Sequence, residues 1–180
     1  MTLLQSRTAY AGRRISVTVD RVRMPRGNEI DLEMVRHPGA SAVVPLVSDP
    51  AGDDPQVLLI RQYRWAARGV IWEIPAGTLD AEETPEACAR RELEEEAGVR
   101  AGTLAKLTTM WTTPGFTDEV IHLYVATDLQ TVATAHEPDE VIETATRPLS
   151  TVLGMIRDGE IRDGKTMVAL LFLAGFRLGL

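Results

Sequence analysis

An acidic segment near the middle of the chain constrains the fold more than any other feature. Residues 85–97, "PEACARRELEEEA", form a predicted helix, because Thr84 can cap its start, Pro85 suits its first position and Gly98 suits its C-terminal cap. One stripe of this helix is apolar and is expected to pack it on a sheet: Ala89, Leu93 and Ala97.

The same helix gathers carboxylates on one face. At 100° per residue, Glu92, Glu95 and Glu96 fall within an arc of about 100°, whereas Glu94 points away. Like charges at this spacing repel by roughly a few tenths of a kcal/mol per pair unless a cation lies beside them. Carboxylates are hard oxygen ligands of the kind that Mg²⁺ or Mn²⁺ prefers. A solvated acidic face is the alternative interpretation of "ELEEE" taken alone.

Short strands and two further helices account for most of the remaining chain. Alternating or continuous apolar runs predict eight strands, at 13–22, 29–35, 41–47, 56–63, 70–74, 104–111, 119–126 and 141–147. Helices are predicted over 148–159 and 165–176. Strands mixed with three helices predict an α/β or α+β layered domain. The first two strands predict an N-terminal antiparallel hairpin or sheet over residues 1–40, followed by a main domain over residues 41–180.

The net charge and the cysteine content limit the class of binding partner and the cellular compartment that are expected. The net charge of -7 argues against nucleic acid or an anionic membrane as the main partner. Cys88 is the single cysteine, which excludes an internal disulfide and predicts a reducing, cytoplasmic setting. The N-terminus lacks a signal-peptide pattern, and the most apolar stretch, "MVALLFLAGF", is too short to span a bilayer.

The acidic helix belongs to a longer pattern that includes the loop before it. Residues 77–99 fit G-x5-E-x7-R-E-U-x-E-E-x-G-U, where U is a bulky aliphatic residue, at every fixed position. This segment resembles the signature of the Nudix hydrolases. The resemblance implies an α/β/α sandwich with a mixed sheet that hydrolyses a nucleoside diphosphate linked to another moiety. It also implies a divalent metal cofactor, Mg²⁺ or Mn²⁺, with more than one ion per site.

The resemblance implies roles for individual residues of this segment. Glu92 and Glu96 are the main implied metal ligands, Glu95 assists them, and the carbonyl of Ala76 is a further ligand. Three residues would support this arrangement, two by holding the loop and helix and one by letting the backbone approach the ions: Glu83, Arg91 and Gly77.

A second set of motifs is similar to the ADP-ribose pyrophosphatase branch of that family. "TPGFTDE" (113–119) places Pro114 fifteen residues beyond Val99, where that branch carries a proline, and "RQYR", "WEIPAG" and "GEIRDGKT" also resemble it. The similarity covers residues 10–175 and implies cleavage of ADP-ribose to AMP and ribose 5-phosphate. Two alternatives remain: a pyrophosphatase for another nucleoside diphosphate sugar, such as a GDP-hexose, and a sensor that binds ADP-ribose without cleaving it.

Several residues in these motifs are candidates for substrate binding: Arg64, Glu73, Pro114, Gly115 and Phe116. Arg64 offers either a planar donor fork for the diphosphate or a partner for a surface salt bridge. Glu73 either hydrogen-bonds the ligand or has a structural role at a strand edge. The aromatic residues either stack on adenine or pack within the core and loops: Trp65, Trp72, Trp111 and Phe116.

The catalytic base is predicted in the acidic loop "HEPDEVIE" (136–143), since the resembled branch takes its base from such a loop. Glu140 lies beside the next strand yet still in the loop, so it is the first candidate for base or metal ligand, with Glu137 second. Pro138 stands where relatives frequently carry an acidic residue. If neither glutamate acts, the helix carboxylates must supply the base.

The N-terminal segment predicts the oligomeric state. An alternating hairpin standing alone would leave an unprotected sheet. In the resembled branch this segment packs across to the partner subunit and helps to build its substrate pocket. A homodimer is therefore expected.

Overall fold

The computed structural model of the protein describes residues 1–134 and 141–179. The strands in those ranges are β1 (Thr2–Ala11), β2 (Ser16–Arg23), β3 (Glu29–Arg36), β4 (Ala40–Pro45), β5 (Gln56–Arg64), β6 (Gly69–Glu73), β7 (Ala76–Thr78), β8 (Val99–Trp111), β9 (Val120–Thr131) and β10 (Ile142–Pro148). The helices are α1 (Pro85–Ala97), α2 (Leu149–Arg157) and α3 (Gly164–Phe172), with a 3₁₀ turn at Trp65–Ala67 and a π-helical end at Leu173–Leu178.

The N-terminal segment forms an antiparallel sheet of three strands in the order β1-β2-β3. The predicted hairpin corresponds to β2 and β3, and β1 is an additional strand that the sequence did not indicate. All residues of β1 are exposed, so the strand has no buried face to impose the period-two alternation by which a strand is recognised.

Two sheets build the main body. β7, β4, β9 and β8 form a mixed sheet in which β4 runs parallel to β9, and β10, β5 and β6 form an antiparallel sheet. An antiparallel bridge between Leu46 and Val57 joins the end of β4 to the start of β5.

The helices cover opposite faces of the mixed sheet. Val43 of β4 packs in one cluster with Leu93 of α1, whereas its neighbour Val44 packs in a second cluster with residues of α2 and α3, such as Leu170. Successive side chains of a strand point to opposite faces, so α1 lies on one side and α2 and α3 lie on the other. The predicted α/β/α sandwich with a mixed sheet is confirmed.

Helix α1 begins and ends where its sequence predicts. The Thr84 hydroxyl accepts a hydrogen bond from the Ala87 backbone N–H at 3.2 Å. Gly98 adopts φ 64°, the left-handed conformation that glycine favours, and its N–H donates to the carbonyl of Glu94. Ser41 of β4 donates to the Pro85 carbonyl at 2.7 Å, which fixes the start of α1 against the sheet. Within the described ranges, no helix combines the length and apolar character needed to cross a membrane.

Candidate active site

The buried carboxylates of α1 face the short strand β7. Glu92 and Glu96 lie one helical turn apart and expose only 9% and 3% of their surface. The Glu96 carboxylate accepts a hydrogen bond from the backbone N–H of Ala76 at 2.8 Å. Glu95 lies at the edge of this face with 39% of its side chain exposed, while Glu94 points away and pairs with Arg100 at 2.8 Å. The structure therefore brings the three predicted ligands to one face, beside the Ala76 backbone.

Gly77 makes room for one of these carboxylates. A Cβ atom placed on Gly77 would lie 1.8 Å from Oε1 of Glu92 and 2.0 Å from its Cδ. Both distances are far below van der Waals contact, so any side chain at position 77 must displace the Glu92 carboxylate. The glycine is required here by close approach of the backbone to a side chain.

Arg91 connects the loop before α1 to the carboxylate face. Its guanidinium binds both oxygens of Glu83, with Nε–Oε1 and Nη2–Oε2 distances of 2.9 Å. Its Nη1 reaches Oε1 of Glu92 at 2.5 Å and Oε2 of Glu95 at 3.1 Å. The bond from Arg91 lowers the pKa of Glu83, and Glu83 in turn contributes most to raising the pKa of Arg91. One fixed cation therefore offsets part of the repulsion among these carboxylates.

The donor set fits a divalent cation. Glu92, Glu95 and Glu96 supply hard oxygens from one helix face. Because Gly77 has no side chain, the backbone of β7 lies close to the Glu92 carboxylate. In the described ranges no cluster of three or more His, Cys, Asp or Glu side chains already surrounds one point as metal ligands. Arg91 Nη1 instead lies between Glu92 and Glu95.

A buried carboxylate flanked by two cations lies just before the loop leading to β7. Glu73 exposes 2% of its surface; its Oε2 accepts from Arg64 Nε at 2.7 Å, and its Oε1 accepts from Lys165 Nζ at 2.5 Å. Lys165 also bonds Asp163, the N-cap of α3, at 3.0 Å. Glu73 thus has a structural role in orienting Arg64, and the pairing through Nε leaves the terminal nitrogens of Arg64 without a partner among the described residues.

Residues 113–117, which we call the 113–117 loop, join β8 to β9 and carry three of the predicted substrate-binding residues. Phe116 exposes 54% of its surface, and no heavy atom outside its immediate chain neighbours lies within 4 Å of the Cβ position of Gly115. The Phe116 carbonyl accepts from the backbone N–H of Val35 in β3 at 2.8 Å. The loop that holds Pro114, Gly115 and Phe116 is therefore attached to the N-terminal sheet.

The aromatic candidates separate into two groups. Trp65, Trp111 and Phe116 are exposed, with relative exposures of 83%, 59% and 54%. Trp72 instead packs against the core, and the Arg61 guanidinium lies 5.0 Å from its ring centroid. Packing accounts for Trp72, and the three exposed rings are the ones available to a ligand.

Both candidates for the catalytic base, Glu137 and Glu140, lie outside the described residues. Glu143, the last residue of the segment "HEPDEVIE", lies in β10 with 72% of its side chain exposed and approaches Arg61 at 3.6 Å. Cys88 is fully buried in α1, and burial raises the pKa of its thiol to about 12, which is typical of an unreactive packing residue.

The fold agrees with comparisons to known proteins. The sequence matches the NUDIX domain over residues 37–169. The chain belongs to the Nudix family. The match extends over most of the chain and includes α1, β7 and the 113–117 loop.

Two similar curated proteins are named as pyrophosphatases of different nucleoside diphosphate sugars. The chain is 36% identical to "ADP-ribose pyrophosphatase" from Bacillus subtilis, over 91% of this chain and 87% of that protein. It is 41% identical to "GDP-mannose pyrophosphatase" from Klebsiella pneumoniae, over 65% of this chain and 63% of that protein. The solved structure "Crystal structure of ADP compounds hydrolase" superposes with a TM-score of 0.83 at 22% identity, covering 97% and 92% of the two chains, which shows the shared fold.

Sequence reasoning missed the contacts that join distant parts of the Nudix chain. Lys165 stands in the quoted motif "GEIRDGKT", yet nothing local indicates that its partner is Glu73, 92 residues away. Asp118 stands in the quoted motif "TPGFTDE", yet nothing local indicates that it pairs with Arg36, 82 residues away. Asp163 has the residue type of an N-cap, which places Lys165 in the first turn of α3.

Proposed function

We propose that the chain hydrolyses the diphosphate bond of ADP-ribose, adding one water and releasing AMP and ribose 5-phosphate. The observation that carries this proposal is that Glu92, Glu95 and Glu96 share one face of α1 beside β7, with Glu92 against Gly77 and Glu96 bonded to the Ala76 N–H. The similarity to an ADP-ribose pyrophosphatase over 91% of the chain supports this choice of substrate.

We assign the metal sites to Mg²⁺ or Mn²⁺, with more than one ion. Glu92 and Glu96 would be the principal ligands, with Glu95, the Ala76 carbonyl and Glu140 as further ligands. When bound, the ions neutralise charge on the diphosphate and lower the pKa of the attacking water. Arg91 holds the carboxylates in place through Glu83 and competes with cations for Glu92 and Glu95.

Arg64 is the proposed contact to the substrate diphosphate. Glu73 fixes the guanidinium through Nε and so presents its terminal nitrogens as a fork, the geometry that binds phosphate oxygens. Lys165 binds the other oxygen of the same buried carboxylate and so helps to hold Glu73 in place. Exposed Phe116, with Pro114 and Gly115, forms the proposed contact to the rest of the ligand.

We propose that residues 1–40 join two subunits in a cytoplasmic homodimer. All of β1 is exposed in the single chain, including Leu3 and Tyr10 at 58% each, and a second copy would cover them. A dimer mass by light scattering at micromolar concentration is expected. A fully active monomer at that concentration would refute the assignment.

A substrate panel tests the reaction. Purified protein at fixed Mg²⁺ is offered ADP-ribose, ADP-glucose, GDP-mannose, NADH and diadenosine polyphosphates, and phosphate is released from the products by alkaline phosphatase. ADP-ribose is expected to give the highest kcat/KM. A higher value for any competitor would contradict the assignment of substrate.

Hydrolysis of a GDP-hexose is the second candidate, favoured by the 41% identity to a GDP-mannose pyrophosphatase. That similarity spans 65% of this chain, whereas the similarity to the ADP-ribose enzyme spans 91%. A sensor that binds ADP-ribose without cleaving it would not need three carboxylates on one helix face, which argues against that function. Binding of ADP-ribose without turnover in the panel is the result that would support a sensor.

A further inference from the structure

The 113–117 loop is attached to the N-terminal sheet by a short parallel bridge. Val35 of β3 donates its backbone N–H to the Phe116 carbonyl at 2.8 Å and accepts from the backbone N–H of Asp118 at 3.2 Å. Two backbone hydrogen bonds are a small attachment for an exposed loop, since the net stabilisation from each such bond is modest.

Asp118 reinforces this bridge with its side chain. Its Oδ1 accepts from the backbone N–H of His37 at 2.9 Å, and its Oδ2 accepts from Nη1 of Arg36 at 3.0 Å. Both oxygens therefore bind consecutive residues at the end of β3.

Arg36 is itself fixed by the N-terminal sheet. Its Nη2 pairs with Asp20 of β2, and its Nε donates to the hydroxyl of Thr18 at 3.2 Å. Asp20 exposes 5% of its surface and also accepts from Ser6 of β1 at 2.6 Å. A polar chain thus runs from β1 through β2 and β3 to the loop.

We propose that Asp118 and Arg36 are positioning residues that hold the 113–117 loop in its ligand-binding conformation. The inference rests on the proposed function, because Pro114, Gly115 and Phe116 are the proposed substrate contacts in that loop. A loop released from β3 would occupy the competent conformation for a fraction of the time, and apparent affinity falls by that fraction. Chemistry in the bound complex would be nearly unchanged, so KM rises while kcat is kept.

Kinetics of Asp118→Asn, Asp118→Ala and Arg36→Lys in the full chain test the proposal. Asp118→Asn keeps an acceptor for His37 but loses the charge, and KM for ADP-ribose is expected to rise about tenfold, equivalent to about 1.4 kcal/mol. Asp118→Ala removes both contacts and is expected to raise KM further. Arg36→Lys keeps the charge beside Asp20, and its KM is expected to lie between those of wild type and Asp118→Ala.

The matched control is Arg157→Gln. It breaks another arginine–aspartate pair, with Asp158 at 2.8 Å, at the C-terminal end of α2 and outside both residues 1–40 and the 113–117 loop. Its KM is expected to equal that of wild type. Amide hydrogen exchange gives a second measurement: the Asp118 and Val35 amides should exchange faster in Asp118→Ala and not in Arg157→Gln.

The outcomes separate this proposal from the assignment of substrate. If wild type cleaves another substrate of the panel better, the substrate assignment fails. The KM values of the variants for that substrate then test whether Asp118 and Arg36 position the 113–117 loop. If wild type cleaves no substrate of the panel, amide hydrogen exchange in the Asp118 variants alone tests the proposal. Unchanged KM and unchanged exchange in both Asp118 variants overturn the proposal, as does a fall in kcat at unchanged KM.

Discussion

Replacing Gly77 by alanine is the perturbation whose effect can be worked most directly from the structure. The added Cβ would lie 1.8 Å from Oε1 of Glu92, and ordinary contact begins at 3.4 Å, so the carboxylate must withdraw by about 1.6 Å. Glu92 is buried and bonded by Arg91 at 2.5 Å, so withdrawal breaks its present geometry. Misplacing a catalytic group by about 1 Å can lower the rate about 10²-fold.

We therefore expect Gly77→Ala to lower kcat by about 10²-fold at fixed Mg²⁺. Position 77 does not have a left-handed φ, so the backbone tolerates alanine, and the melting temperature is expected to stay within about 4 °C of wild type. Gly175→Ala is the control, because its Cβ would meet no heavy atom within 4 Å. A wild-type kcat for Gly77→Ala in the phosphate-coupled assay would refute the view that Glu92 must occupy this position.

Three further predictions concern single carboxylates. Glu96→Gln is expected to fold normally but to lose several orders of magnitude in kcat; wild-type turnover at ordinary Mg²⁺ would remove its assignment as a metal ligand. Glu83→Gln is expected to lower the free energy of unfolding at pH 7 by about 1.5–3 kcal/mol. The hydrogen bond from Arg91 lowers the Glu83 pKa, so this difference in unfolding free energy is present above the usual glutamate pKa near 4.5 and is lost as the pH falls through the lower folded-state pKa. A difference in urea denaturation that persists at pH 2 would contradict the prediction. Glu140→Gln is expected to lower kcat by at least about 10²-fold as the base; a collapse in Glu137→Gln alone would reverse the order of the two candidates.

The sequence by itself determined the elements whose causes are local. The limits of α1 follow from Thr84, Pro85 and Gly98, because caps and left-handed glycines act within one helical turn. The convergence of Glu92, Glu95 and Glu96 follows from helical periodicity alone. The full signature at 77–99 placed the chain in its family, and the matching domain at 37–169 agrees.

Tertiary structure decided the partners of those residues. Arg91 was expected to support the loop and helix, and it does so by binding both oxygens of Glu83 while also reaching Glu92. These contacts depend on how the loop before α1 folds back. Local spacing specifies a face but not what packs against that face.

The long-range ion pairs and the edge strand β1 could not be predicted from any local sequence pattern. The Glu73–Lys165 and Arg36–Asp118 pairs join residues 92 and 82 positions apart, and only the packing of sheets and helices brings each pair together. Strand β1 pairs with β2 through backbone bonds while every side chain stays exposed, so no buried face imposes a pattern on its sequence. Backbone pairing without burial leaves no mark in the order of apolar residues, and the structure alone reveals it.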